Sequence, residues 1–129
     1  MATTAQYTAQ PIVECTSIAT NTTSTVAAAL STTAANGVGK RIIRVYATIP
    51  TTNTAGKISL YITISGTDYL IAERAVAANT VSTTAAALRV EFPEAVGLVL
   101  PGGSTTSLKM NNGSALGVSI TATVESGLL

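Results

Sequence analysis

Residues 57–64 read KISLYITI. Ile58, Leu60, Ile62 and Ile64 alternate with Lys57, Ser59, Tyr61 and Thr63. Successive side chains of a strand point to opposite faces, so a period of two marks a half-buried β-strand. The pattern recurs. In RIIRVYATI (41–49), Ile43, Val45, Ala47 and Ile49 are expected inward, with Arg44, Tyr46 and Thr48 outward. In GVSITATVE (117–125), Val118, Ile120, Ala122 and Val124 alternate with Ser119, Thr121 and Thr123. LRVEF (88–92) places Leu88, Val90 and Phe92 inward and Arg89 and Glu91 outward.

Turn residues separate these runs. SGTD (65–68) reads as a tight hairpin connection, and TIPTTNTAGK (48–57), LPGGST (100–105) and NNGS (111–114) as further loops. Helix signals are weak, because TVAAAL (25–30) and TTAAAL (83–88) are too short to stand alone between Thr, Ser and Asn. The expected strands are 10–15, 24–30, 41–49, 57–64, 69–76, 86–92, 97–100, 105–110 and 117–125. Short strands at this spacing make an all-β, eight- to nine-stranded antiparallel sandwich of jelly-roll type, with an immunoglobulin-like sandwich as the alternative. A chain of 129 residues fits one domain, expected over 11–129, with 1–10 as an extended N-terminal arm.

Composition narrows the chemistry. Hydrophobic residues make up 47%, which supports a core, but Trp is absent and there is one Phe, so that core is built from aliphatic side chains. Only 10% of residues are charged, against about 25% in an ordinary soluble domain. Thr and Ser take their place, and the net charge is +1. A weakly charged surface of hydroxyls and methyls suits contact with other protein. The densest basic cluster is Lys40, Arg41 and Arg44, too small for nucleic-acid binding and read as a solvated strand end. No run reaches the ~20 apolar residues of a membrane helix, and MATTAQYTAQ has no signal-peptide pattern. Cys15 is a single Cys, so no internal disulfide is expected.

Catalytic constellations fail on residue type. The chain has no His, which removes Ser–His and Cys–His catalysis, and a single Cys without His argues against a zinc site. NGVGKR (36–41) and TAGKIS (54–59) each hold a Gly-Lys pair. A phosphate loop needs Gly five residues earlier and Ser or Thr afterwards. Those positions hold Ala34 and Arg41 in one case, and Thr51 and Ile58 in the other. Both pairs lead into strands, so NGVGKR reads as a turn at Gly37 and then the start of the sheet. Replacing Lys40 with Ala is accordingly expected to leave the fold nearly unchanged. Glu73 and Glu91 neighbour Arg74 and Arg89, which suggests cross-strand ion pairs. No enzyme activity, cofactor, metal or nucleotide site is expected. Outward tyrosines anchor interfaces because they bury much area at low entropic cost. Tyr46 and Tyr61, with Tyr7 and Gln10 of the arm, are therefore the candidate partner contacts.

The order RIIRVYATIPTTNTAGKISLYI, DYLIAERAV, LRVEF, LVLPGGSTTSLKMNN and a closing strand resembles small structural proteins of tailed bacteriophages, over about residues 40 to 125. The final strands of that group run aliphatic-Leu-Pro-Gly-Gly, a Ser/Leu strand, Asn and a last strand. The resemblance implies a virion β-sandwich, foremost a capsid decoration (cement) protein that is made in the host cytoplasm and sits on the capsid surface. It implies a homotrimer with the major capsid protein as partner. The alternative is a tail-fibre or baseplate module for a receptor or carbohydrate.

Overall fold

The computed structural model describes residues 11–28, 39–102 and 105–128. Among them are nine strands: β1 (Pro11–Ile18), β2 (Thr22–Ala28), β3 (Lys40–Ile49), β4 (Gly56–Ile64), β5 (Thr67–Val76), β6 (Leu88–Glu91), β7 (Val99–Leu100), β8 (Ser107–Asn112) and β9 (Ile120–Leu128). Single 3-10 turns lie at Pro93–Ala95 and Ser114–Leu116. Thr25 to Ala28 of TVAAAL lie in β2, with the rest of that stretch outside the described residues, and TTAAAL runs through bends into β6 and makes no helix.

The strands form two antiparallel sheets. The first has the order β1-β9-β3-β6, with β7 also on β3; the second has the order β2-β8-β4-β5. The pairings nest: β1 with β9, β2 with β8, β3 with β6 and β4 with β5. This is one long antiparallel ribbon rolled up so that β9 also meets β3 and β8 also meets β4, which is the jelly roll. The β4–β5 hairpin turns at Ser65 and Gly66, with φ of 50° and 83°. Two successive positive φ values define the primed turn whose twist matches its strands.

One core fills the space between the sheets. Val45, Ala47, Ile49, Ile120, Ala122 and Val124 face Val26, Ile58, Leu60, Leu108 and Met110, and Phe92 lies wholly inside. Asn112 also points inward, donating from Nδ2 to the Ile18 and Val118 carbonyls at 3.1 and 2.8 Å. It thereby ties the β1–β2 corner to the approach of β9.

Three expected orientations are corrected. The register of β3 against β9 slips between Ile42 and Arg44. Such a bulge places one extra residue on a strand and resets which side chains face the core. Ile42 is therefore buried and Ile43 faces solvent at 44% exposure, where strict alternation from Val45 puts Ile43 inward. Ile64 is exposed as well, because the last rung of β4 against β8 is Thr63 with Ser107 and the core ends there. Lys40, read as a solvated strand end, is only 6% exposed. It pairs in register with Leu128 and Leu100, and its Nζ donates to Glu14 Oε1 at 3.0 Å. The residues Asn36 to Val38 of NGVGKR lie outside the described residues. At Gly39 an added Cβ would come within 2.7 Å of the Leu100 carbonyl oxygen, so close backbone approach explains that glycine.

Lys40→Ala is predicted to destabilise the fold by about 1–2 kcal/mol, since it removes a buried aliphatic stem and the partner of Glu14. Lys57→Ala, at a well-exposed side chain, should cost less than about 0.5 kcal/mol. Urea unfolding of both variants measures the difference.

Candidate functional site

The rolled ribbon leaves two broad outer faces. On the first sheet, pairing registers place Cys15, Thr123, Tyr46 and Glu91 in one row across β1, β9, β3 and β6. The next row holds Ser17, Thr121, Thr48 and Arg89. On the other side, Val13, Glu125 and Arg44 form a row. Arg44 donates to both Glu91 carboxylate oxygens, at 3.1 and 2.7 Å, and lies 3.7 Å from Glu125. Arg89 reaches the same Glu91 at 3.2 Å. Tyr46 lies between the two guanidiniums, with their carbons 4.7 Å (Arg44) and 3.7 Å (Arg89) from its ring centre. Cation–π contacts at such exposed sites contribute about 0.5–1 kcal/mol each. Tyr46 is thus half-buried in a stacked cluster.

The outer face of the second sheet carries Tyr61, which the registers place between Lys109 and Leu70. Around it, Thr63 donates to Asp68 at 2.6 Å and Lys109 approaches that carboxylate at 3.5 Å. Lys57 and Ser59 both meet Glu73 Oε2, at 3.0 and 2.9 Å. Tyr46 and Tyr61 consequently occupy opposite faces of the sandwich and form no common site. Tyr7 and Gln10 lie outside the described residues.

The ion pairs differ in part from those expected. Glu91 does pair across strands, with Arg44, while Arg89 approaches it from its own strand. Glu73 takes Lys57 as its cross-strand partner. Arg74 points to the other side of β5, lies 5.5 Å from the Phe92 ring and binds Glu94 at 2.5 Å. The alternation of Arg44 with Tyr46 and of Arg89 with Glu91 signals the stack in the sequence. What the sequence lacks is the register that brings these two strands together.

All six side-chain carboxylates of the chain are ion-paired: Glu14, Asp68, Glu73, Glu91, Glu94 and Glu125. For four of them the partners lower the pKa. Hydrogen bonding from Arg44 lowers the pKa of Glu91, and Arg74 does the same for Glu94. Lys57, then Ser59, lower that of Glu73, and Thr63 lowers that of Asp68 with help from Lys109. No group of three or more His, Cys, Asp or Glu converges on a metal site among the described residues.

No family model matches the chain, and no curated protein does. Among solved structures, it is similar over its full length to a chain of the cyanophage Pam1 capsid asymmetric unit, at 17% identity, with 92% of that chain covered and a TM-score of 0.48. Over 99% of its length it is similar to a chain in the structure of infectious bursal disease virus Gt strain, at 20% identity and a TM-score of 0.31. It spans 33% of that second chain.

The lowered carboxyl pKa values set a pH dependence. A carboxyl that is more acidic folded than unfolded contributes stability above its unfolded pKa and loses it as pH falls through the folded one. Urea midpoints should therefore stay level from about pH 7 to 5 and drop below about pH 4. Glu91→Gln should flatten that drop.

Proposed function

We propose that the chain is a non-enzymatic structural protein of a virion, foremost a capsid decoration protein that binds the outer shell as an oligomer. The observation that carries this reading is the state of its charges. The chain has six acidic side chains, and each is paired with a lysine or arginine. Charges already paired and hydrogen-bonded lose less on being covered than free ones do. The remaining outer surface is largely Thr, Ser and aliphatic, which suits burial against protein. The jelly roll itself hosts capsid proteins, lectins and metal-binding cupins alike, so it permits this role without selecting it. The resemblance of residues 40 to 125 to tailed-phage structural proteins supports the selection.

Oligomerisation fits the exposed sheet edges. β5 is a ten-residue edge strand with exposed Tyr69 and Leu70, and β1 is an edge strand with exposed Val13. Long uncovered edges invite pairing with other chains. In the proposed particle, neighbouring copies or the shell cover these edges, and residues 1–10 act as an arm on a neighbour.

Light scattering with size exclusion should give an oligomer, with a trimer expected, and the chain should co-sediment with shells assembled from the major capsid protein alone. A stable monomer that leaves those shells bare would contradict the proposal. Binding to glycans in place of shells would favour a tail-fibre or baseplate module.

A further inference from the structure

The seven basic side chains of the protein are Lys40, Arg41, Arg44, Lys57, Arg74, Arg89 and Lys109. Among the described residues, six of these have a carboxylate partner and Arg41 has none. Arg41 is exposed on β3, with Gly127 beside it on β9 and Val99 on β7. The glycine places no side chain next to the guanidinium on that flank. The bulge turns Ile43 outward on the same stretch of strand. The segment leading into β7 runs alongside, since Gly97 donates to the Ile42 carbonyl and Ile42 to the Leu98 carbonyl, both at 2.8 Å. Its exposed apolar side chains are Val96 at 56% and Val99 at 38%.

We propose that Arg41, Ile43, Val96 and Val99 form the surface that binds the partner protein. The occupant is a protein surface presenting a carboxylate set among aliphatic side chains. Charge complementarity selects it: an unpaired guanidinium ringed by apolar groups is matched by an acid in an apolar setting. A second copy of this chain is a poor occupant, because every one of its own side-chain carboxylates is already engaged. Exposed Leu70, by contrast, lies on the outer face of the second sheet with Asp68 and Lys109, which satisfy each other. That setting offers no unmatched charge to choose a partner.

This assignment rests on the shell-binding role proposed above, and its test separates the two. The unaltered chain, Arg41→Glu, Ile43→Ser and Leu70→Ser are each titrated onto shells of the major capsid protein alone. Arg41→Glu and Ile43→Ser should weaken binding about tenfold or more, as central interface positions do. Leu70→Ser should stay near the unaltered affinity, and thermal unfolding should change little for Arg41→Glu. Equal binding by all four chains overturns this surface and leaves the shell-binding role standing. Absence of binding by the unaltered chain overturns both. Dissociation of the oligomer by Arg41→Glu, with shell binding retained, shows a self-interface and overturns the assignment.

Discussion

The pairing of β3 with β9, and the slip within it at Ile43, sets the rest of the molecule. β9 is held by β1 on one side and β3 on the other. The outward rows across β1, β9 and β3 are read from those two registers. Because the slip adds one residue to β3, two inward sets coexist on a single strand. Lys40 and Ile42 face the core before it, and Val45, Ala47 and Ile49 after it. Ile43 and Arg44 then both turn outward. Arg44 meets Glu91 and Glu125, while Ile43 is left on the surface beside Arg41. A regular strand would have buried Ile43 in place of Ile42 and exposed the lysine.

The energetics are uneven across the molecule. The core is aliphatic and contiguous, and its burial supplies most of the stability through the area removed from water. The surface ion pairs add little individually because water and salt screen them. Their larger effect is on what the surface can touch. They leave the two faces nearly neutral, so that covering them with protein strips water from few unpaired charges. In the proposed interface, the single unmatched Arg41 among the described residues selects a partner where the rest of the surface merely tolerates one.

Much of this fold is legible in the sequence. GVSITATVE and LRVEF alternate as the strands do, KISLYITI does so as far as Ile62, and SGTD forms its hairpin turn. The nine expected strands all appear, with ends shifted by a few residues. Orientation failed where alternation is broken by tertiary contact. Nothing local in RIIRVYATI marks Ile43 as the extra residue, because the slip is set by β9, some eighty positions away. Lys40 was misread for a related reason. A lysine at a strand start is ordinarily solvated, and here Glu14, on a strand two places across the sheet, draws it inward. The outward position of Tyr46 is legible in RIIRVYATI, but the two arginines near its ring belong to different strands. Arg41 carried no signal of its own, since an unpaired cation is recognised only once the other six have been given partners.

The bulge can be tested directly by labelling a single thiol in a Cys15→Ser background, with cysteine placed at position 42 or at position 43. The account predicts fast labelling by a maleimide at position 43 and strong protection at position 42 in the folded chain. Protection at position 43 with fast labelling at position 42 would show an unbroken alternation on β3 and would contradict the account.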